Sequence, residues 1–371
     1  MKKFAGQNMI KIFCTLLAFA FSYANAQTQP HPGLSSPASI YRDLYSLKRE
    51  VGPARNPRDL TLGTNAKIES LANEHLQSKG TVALALIDNG NIVYEGYAKG
   101  ANEDHKLISF SMAKSLTALT IGEAYCSGKI SSLDDVAEKY AAELKNIPAG
   151  KVTIRNLLKM SSGVRTSYKH HGTPYFRATD DLLYLKVSML DIMSKYSNTD
   201  NSSFFGTPWN YSNMDTDALY FVIKGATGTT FSAYYQSTIG EKAGLKKVSY
   251  WGLDREENEI AHAFYSATLQ DWIRISLYIR DQLKNNSGTC VSNFVKDATS
   301  TQAYANTKEF SNYGYKFFVK NKSTNSNDFW MVGFAGQRIG FNMKNDKIIL
   351  NFSWTAEPER TYRLFKEFTN N

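Results

Sequence analysis

The 371-residue sequence has no internal repeat, no cluster of positive charge and, after its N-terminal segment, no long hydrophobic run. A solenoid or propeller would need a repeat of about 20 to 50 residues, so both are excluded. The net charge of +9 is spread along the chain, with Lys246-Lys247 the nearest approach to a cluster. The basic stripe of a nucleic-acid-binding protein is therefore missing. With 42% hydrophobic and 21% charged residues, the chain is neither disordered nor fibrous.

Signatures of metal enzymes and of catalytic-triad enzymes are also missing. The sequence has no H-E-x-x-H motif, and the adjacent His170 and His171 point apart, a spacing that suits no metal site. No G-x-S-x-G elbow is present, which disfavours an α/β-hydrolase triad. His262 lies between alanines and is interpreted as a core or rim residue rather than a base. We expect no metal and no cofactor.

The N-terminus has the pattern of a secretory signal peptide. Three lysines precede an apolar run over residues 12–21, and Ala24-Asn25-Ala26 follows as a small-residue cleavage site. The run has about half of the ~20 residues that a membrane-spanning helix needs. We expect a signal peptide over residues 1–26, a mature protein exported to the periplasm or secreted, and no integral membrane segment after signal removal.

Two cysteines, Cys126 and Cys290, remain after this processing. An oxidising compartment would permit them to form a disulfide. Two buried thiols are an equally good interpretation, so the sequence leaves the pairing open.

Predicted strands at both ends of the chain enclose a helical middle. A helix is expected over residues 64–79, and a β-hairpin over 81–97 turns at Asn89-Gly90. Further strands are expected over 313–319, 329–341 and 348–354, with a last helix over 357–368. The predicted boundaries are a signal peptide over 1–26, an irregular leader over 27–60, a sheet domain over 61–109 and 301–371, and a helical domain over 110–300. This order indicates one sheet interrupted by an inserted helical domain.

Ser111 and Lys114 form an S-x-x-K motif at the start of a predicted helix that stops at Gly128. Positions i and i+3 share a helix face, so the amine can reach the hydroxyl. A serine hydroxyl is a weak nucleophile that needs an adjacent base, and lysine can serve only when burial or nearby positive potential lowers its pKa. The pair predicts a nucleophile and its base; the alternative is a capped helix with an exposed lysine.

Three Tyr-x-Asn sequences, which begin at Tyr196, Tyr211 and Tyr304, compete as the next part of the site. Tyr211 follows a turn at residues 206–209 and directly precedes a predicted helix, a junction that can hold a tyrosine toward a cleft. The other two tyrosines lie among polar loop residues and are expected to face solvent. We therefore select Tyr211 and, with it, Asn213.

The third element is an apolar segment over residues 329–337 that contains Gly333 and Gly336. A glycine within a strand often marks a bulge or a close approach of the backbone to another chain or a ligand. An inner strand with packing glycines is the alternative.

In this order, Ser111-x-x-Lys114, Tyr211-x-Asn213 and the glycine-bearing strand resemble the serine β-lactamase and penicillin-binding-protein superfamily. The sequence is most similar to the branch that contains class C β-lactamases, DD-peptidases, family VIII esterases and 6-aminohexanoate-oligomer hydrolases. The resemblance covers the chain from roughly residue 60 to its end. It implies an α+β fold, in which an antiparallel sheet flanked by terminal helices packs against an inserted all-helical domain, with the site in the cleft between them.

The resemblance also implies a role for each matched residue. Ser111 is the implied nucleophile, and Lys114 its base or proton relay. Tyr211 would carry a proton to the leaving atom, and Asn213 would orient Lys114 and the substrate. Whether Lys114 or Tyr211 is the base for acylation stays open.

The backbone N–H groups of Ser111 and Phe334 would form the oxyanion hole, where each donor is worth ~3 to 4 kcal/mol in the transition state. Gly333 and Gln337 are the implied substrate-binding residues. One departure concerns the strand itself, where penicillin-recognising members carry Lys or His, then Thr or Ser, then Gly. This sequence has Met331-Val332-Gly333, so the cationic group that binds a substrate carboxylate is gone. Arg338 could replace that charge only if it shared a face with Met331.

These observations predict a serine hydrolase that cleaves an amide or ester bond through an acyl-enzyme on Ser111, similar to the esterases and oligoamide hydrolases. The expected substrate is a small molecule or a short oligomer. One alternative is a penicillin-recognising DD-peptidase or β-lactamase. The other is a catalytically silent cell-wall binding module.

Overall fold

The structure is a computed structural model. It describes residues 37–40, 47–170, 173–174, 180–199, 208–285, 288–324, 328–355 and 357–370. The predicted signal peptide over 1–26 lies outside the described residues, as does His171. Within the described residues, no helix has both the length and the apolar character to cross a membrane.

Sixteen strands are assigned within the described residues. They are β1 Lys48–Val51, β2 Thr81–Asp88, β3 Asn91–Tyr97, β4 Leu107–Ile108, β5 Val164–Thr166, β6 Lys169–His170, β7 Thr173–Pro174, β8 Ser197–Thr199, β9 Ser249–Gly252, β10 Tyr265–Ala267, β11 Ala303–Tyr304, β12 Phe310–Tyr313, β13 Phe318–Asn321, β14 Phe329–Val332, β15 Arg338–Asn342 and β16 Lys347–Ser353.

The same residues contain eleven α-helices, several of them short. They are α1 Ala66–Gln77, α2 Ala113–Cys126, α3 Ile154–Leu158, α4 Asp180–Leu183, α5 Met189–Tyr196, α6 Asn213–Thr227, α7 Phe231–Tyr235, α8 Glu241–Ala243, α9 Leu269–Lys284, α10 Cys290–Ala298 and α11 Pro358–Asn370. One-turn 3-10 helices at Phe110–Met112 and Phe334–Gly336 border the site described below.

An antiparallel eight-stranded sheet organises the molecule, in the order β11-β12-β13-β14-β15-β16-β2-β3. Two adjacent strands, β16 and β2, come from opposite ends of the chain and pair over their whole length. The predicted hairpin is confirmed, because β2 and β3 join through the turn at Asn89-Gly90. The antiparallel α+β fold class predicted from the sequence is also confirmed.

Helices cover both faces of the large sheet, which explains why β2 is buried along almost its whole length. Leu84 and Leu86 point to one face, where they pack in a cluster with the terminal helices α1 and α11. Because side chains alternate along a strand, Ala83 and Ala85 point to the other face and join the main core. On that second face, Trp272 of α9 packs against Phe352 of β16 with ring centroids 5.8 Å apart.

The middle of the chain is mainly helical and also forms part of a second, smaller sheet. This four-stranded sheet has the order β1-β9-β10-β4. Strand β1 comes from the segment predicted to be an irregular leader, and it pairs with β9 over four residues. Since this pairing is long-range, nothing near residues 48–51 could indicate it. The boundaries proposed for the two domains remain predictions.

The strand predicted over residues 313–319 is interrupted by a turn. Strands β12 and β13 form a hairpin instead, closed by a hydrogen bond from the Gly314 N–H to the Phe317 carbonyl at 2.8 Å. Lys316 adopts a left-handed backbone conformation there, with φ of 63°. In the same way, the strand predicted over 329–341 is split into β14 and β15 by the 3-10 helix Phe334–Gly336.

Candidate active site

Ser111 lies in the 3-10 helix Phe110–Met112, which leads directly into α2. The residue before it, Phe110, has a strained left-handed backbone with φ of 41°. Neighbouring backbone holds this conformation: the Ser109 N–H donates to the Tyr265 carbonyl at 2.7 Å, and the Tyr265 N–H donates to Ser109 Oγ at 3.0 Å. Ser111 is itself partly exposed, as a nucleophile in a cleft must be.

Lys114 is placed one turn further on, at the first turn of α2, and its side chain is buried with 2% exposed. Its Nζ donates to Ser111 Oγ at 2.9 Å and to the backbone carbonyl of His262 at 2.8 Å. The structure thus brings together the predicted nucleophile and base. The alternative of an exposed lysine does not describe this residue.

The pKa of Lys114 lies well below its ordinary value. Burial is the largest cause, because it disfavours the charged ammonium, and the positive charge of Lys316 acts in the same direction. Asp217 opposes both by favouring the charged form. The amine therefore has the electrostatic surroundings that a lysine base requires.

Buried polar side chains from three separate segments surround this lysine and its neighbour Lys316. Asp217 of α6 accepts a hydrogen bond from His262 Nδ1 at 2.5 Å. Burial lowers the pKa of His262, which favours the neutral ring. Lys316 is 3% exposed, and burial also lowers its pKa. Asp215 accepts a hydrogen bond from Ser162 Oγ at 2.7 Å, and burial raises its pKa.

Tyr211 is held against Lys114 by the start of α6 and by an aromatic cluster. Ser212 caps this helix by accepting a hydrogen bond from the Asp215 N–H at 3.2 Å. The Tyr211 ring stacks on Phe318 at 6.3 Å, and Lys114 Nζ lies 5.1 Å from its centroid. Burial raises the pKa of Tyr211 to about 12, although its hydrogen bond with Ser111 lowers it. The phenol is therefore protonated at neutral pH.

Asn213 is the first residue of α6 and is 4% exposed. The hydrogen bonds described for Lys114 go to Ser111 and to the His262 carbonyl, so the predicted bond with Asn213 is not among them. His262 is the partner that the sequence interpretation missed. It is a core residue, as predicted, but its backbone oxygen holds the candidate base.

The competing tyrosines lie elsewhere. Tyr304 is 83% exposed and Tyr196 is 39% exposed, in agreement with the prediction that both face solvent. Of the three Tyr-x-Asn sequences, the one at Tyr211 places its tyrosine beside Lys114, whose Nζ lies 5.1 Å from the ring centroid.

A family model described as Beta-lactamase matches residues 68–364. The chain belongs to the Beta-lactamase family. The match covers every predicted catalytic residue, from Ser111 to Phe334. No curated protein matches the chain in sequence.

Solved structures show the same fold. A protein described as a 6-aminohexanoate-dimer hydrolase from Bacillus anthracis superposes with a TM-score of 0.78 at 21% identity, covering 93% of this chain and 97% of that one. EstCE1, a hydrolase with promiscuous acyltransferase activity, gives 0.64 at 12% identity, with 82% and 97% covered. A penicillin-binding protein from Bacillus halodurans gives 0.61 at 14% identity, with 81% and 99% covered.

In this Beta-lactamase family member, the turn between β14 and β15 lies directly beside the segment that contains Ser111. A side-chain carbon at Gly333 would come 2.4 Å from the Ser109 carbonyl, so only glycine allows this approach. The Phe334 and Phe110 rings are in edge contact at 5.8 Å. The structure therefore places the predicted oxyanion residues, Ser111 and Phe334, on adjacent segments.

Gln337 supports this turn from inside and does not face the cleft. Its side chain is fully buried, and its amide nitrogen donates to the carbonyls of Phe334 at 2.9 Å and Ser353 at 2.5 Å. Its amide oxygen accepts from the Ser353 N–H at 3.0 Å. These contacts occupy both ends of the amide and hold the turn in place, and the substrate-binding role of Gln337 stays a prediction. Gly333 likewise contributes through close packing.

The strand that carries a cationic residue in penicillin-recognising relatives has Met331 and Val332 here. Met331 is buried, whereas Val332 is partly exposed. Arg338 does not restore the missing charge at the surface, because it is 3% exposed and paired with Glu309 at 3.0 Å. Within the described residues, no group of three or more His, Cys, Asp or Glu side chains is arranged to hold a metal ion.

Proposed function

We propose that this protein is a serine hydrolase that cleaves an amide or ester bond through an acyl-enzyme on Ser111. The observation that carries the proposal is the contact between Lys114 Nζ and Ser111 Oγ at 2.9 Å, made by a buried amine whose pKa is lowered. A neutral amine at this distance can accept the hydroxyl proton as Ser111 attacks.

The two candidate proton carriers differ in pKa, which supports a different role for each. Tyr211, with a pKa raised to about 12, is protonated at neutral pH and suits proton donation to the leaving atom. Lys114, with a lowered pKa, suits the base. As the Ser111 Oγ to carbonyl carbon bond forms, the proton moves to Lys114. The leaving amine or alcohol departs with a proton from Tyr211, which Lys114 then replaces. Water later releases the acid and restores Ser111.

The preferred substrate is a neutral small molecule or a short oligomer. Val332 and Phe334, on either side of Gly333, are partly exposed apolar side chains, and the cation that would bind a carboxylate is missing at Met331. The names of the amide-dimer hydrolase and of EstCE1 agree with this side of the family rather than with penicillin recognition. The N-terminal sequence pattern supports export of the mature protein.

Intact-mass labelling of the mature protein with a fluorophosphonate tests the proposal. We expect one adduct per chain in the wild type and none in Ser111→Ala. Ser276→Ala is the matched control, because it removes a buried serine whose hydroxyl donates to the Trp272 carbonyl of its own helix. This control should label like the wild type.

A parallel reaction with benzylpenicillin separates the alternatives. A fluorophosphonate adduct without a penicilloyl adduct supports the esterase or amidase and justifies assays with p-nitrophenyl esters and short oligoamides. A stable penicilloyl adduct on Ser111 would favour a DD-peptidase or β-lactamase. No adduct with either reagent would favour the catalytically silent binding module and overturn the proposal.

A further inference from the structure

Arg338 is a buried arginine at the start of β15, and each of its three guanidinium nitrogens donates a hydrogen bond. Nε donates to the Tyr362 hydroxyl at 2.9 Å, and Nη2 donates to Glu309 at 3.0 Å. Nη1 donates to two backbone carbonyls, those of Gly333 at 2.6 Å and Gln337 at 3.0 Å. The Tyr362 hydroxyl also donates to Glu309, so the three side chains form one buried network.

This network leads from the terminal helix α11 to the turn beside Ser111. Tyr362 lies on α11 and Glu309 immediately precedes β12, whereas Gly333 begins the turn between β14 and β15. Burying the charge of an arginine costs free energy, and this cost is offset only where hydrogen-bond partners hold the guanidinium group in place. Here Tyr362 and Glu309 accept from Nε and Nη2, and Nη1 is directed at the turn.

The Gly333 carbonyl and the Phe334 N–H belong to the same peptide unit. In a planar trans peptide the two groups point in opposite directions, and no described peptide is cis. A donor that fixes the Gly333 oxygen therefore also fixes the direction of the Phe334 N–H. We propose that Arg338 is a positioning residue for the oxyanion hole, which acts by holding the Gly333 carbonyl so that the Phe334 N–H faces the reacting carbonyl.

The proposal rests on the proposed function, since it concerns the same reaction. Two further features support it. Gln337 holds the next carbonyl, that of Phe334, at 2.9 Å, so the peptides on both sides of Phe334 are fixed. A charged donor on a carbonyl oxygen also polarises its peptide, which makes the N–H a stronger donor.

The experiment compares hydrolysis of a p-nitrophenyl ester with hydrolysis of its thionoester, in which sulfur replaces the carbonyl oxygen. Sulfur is larger and a weaker hydrogen-bond acceptor, so the ratio of the two kcat/KM values reports on the oxyanion hole. In Arg338→Met we expect kcat for the oxygen ester to fall about 10- to 100-fold, less than complete loss of such a donor would cost. Hydrolysis of the thionoester should slow much less, so the ratio of kcat/KM for the oxygen ester to kcat/KM for the thionoester falls.

Arg274→Met is the matched control. Arg274 is also a buried arginine that donates to a backbone carbonyl, that of Arg58 at 2.8 Å, and to a carboxylate, that of Asp271 at 3.1 Å. Its loss should lower stability and leave the oxygen-to-sulfur ratio at the wild-type value. If Arg338 had a purely structural role, Arg338→Met would also lower stability and leave the ratio unchanged. An unchanged ratio in folded Arg338→Met would therefore overturn the inference.

Arg338→Lys keeps the test decisive if the methionine variant does not fold. Its single ammonium should pair with the buried Glu309 carboxylate, leaving the Gly333 carbonyl without a charged donor. We expect a ratio below that of the wild type, and a wild-type ratio would again overturn the inference. Failure of the proposed function is separate, because a wild type that hydrolyses no ester and takes no fluorophosphonate fails before any variant is compared.

Discussion

At the scale of single residues, the protonation of the candidate base depends on the groups packed around it. Lys114 faces Tyr211 from the segment before α6 and Asp217 from α6 itself. It also faces His262 from the loop before β10 and Lys316 from the turn before β13. Lys316 lowers the pKa of Lys114, whereas Asp217 raises it. The protonation of Lys114 is therefore a balance between two buried neighbours of opposite sign.

This balance predicts opposite changes in the pH dependence of two variants. Lys114 must be neutral to act as a base, so kcat/KM should rise with pH through its pKa. Lys316→Met removes a positive neighbour and raises that pKa, so the acid limb of the profile should move to higher pH. Asp217→Asn removes a negative neighbour and should move the limb to lower pH. Both are measured as kcat/KM for a p-nitrophenyl ester against pH.

Lys347→Met provides the control for loss of a buried lysine. Lys347 lies on β16, is 7% exposed and donates to the Phe368 carbonyl of α11 at 2.9 Å. Its removal should leave the acid limb of the pH profile at the same pH as in the wild type. A limb that stays in place in Lys316→Met, or moves to lower pH, would contradict the electrostatic role.

Only some of these residues could be predicted from the sequence. Ser111 and Lys114 are three positions apart on one helix, so their contact follows from local geometry. Asp217 lies four positions after Asn213, so the two residues are neighbours on one face of α6, and the sequence therefore contains a signal for Asp217. His262 contributes through a backbone oxygen and Lys316 through a distant turn. No local pattern indicates either of these contacts, because chain folding alone brings the segments together.

At the scale of elements, the turn between β14 and β15 was predicted as a continuous strand. Its apolar residues fit a strand, and the sequence does not show that Gly333 must pack on the Ser109 carbonyl. The turn is closed by a hydrogen bond from the Gly333 N–H to the Gln337 carbonyl at 2.8 Å. Two glycines in an apolar strand were the available signal, and they indicated a close approach without giving its partner.

Gly333→Ala tests how closely this turn must approach Ser111. The added carbon would come 2.4 Å from the Ser109 carbonyl, so backbone must move on one side of the cleft. We expect kcat to fall by about tenfold or more, since displacement of an oxyanion donor is costly, together with a lower Tm. The readouts are ester hydrolysis and thermal unfolding.

Gly240→Ala is the control for this glycine. The nearest atom to its added carbon would be 3.6 Å away, an ordinary contact, and the backbone there is right-handed. Activity should equal that of the wild type, with stability unchanged or higher because alanine favours helical backbone. Full activity in Gly333→Ala would show that the turn tolerates displacement.

At the scale of the whole molecule, the chain is joined covalently between two helices of its middle segment. Cys126 at the end of α2 forms a disulfide with Cys290 at the start of α10, 164 residues further along the chain. The sequence left this pairing open, because two cysteines so far apart meet only in the folded chain. The two helices also pack directly, since a side-chain carbon at Gly122 would come 2.4 Å from the Phe294 ring.

We predict that the disulfide stabilises the molecule without shaping the site. Closing so long a loop constrains the unfolded chain, and loss of such a link typically costs about 2 to 4 kcal/mol. Lys114 lies 12 residues before Cys126 on α2, about 18 Å along the helix axis. The double variant Cys126→Ala/Cys290→Ala should therefore unfold at lower urea concentration while its ester hydrolysis at 25 °C matches the wild type.

Reductant should lower the unfolding midpoint of the wild type and leave that of the double variant unchanged. A midpoint insensitive to reductant would contradict the stabilising role, and loss of activity in the folded double variant would show that α10 helps to hold the catalytic end of α2 in place.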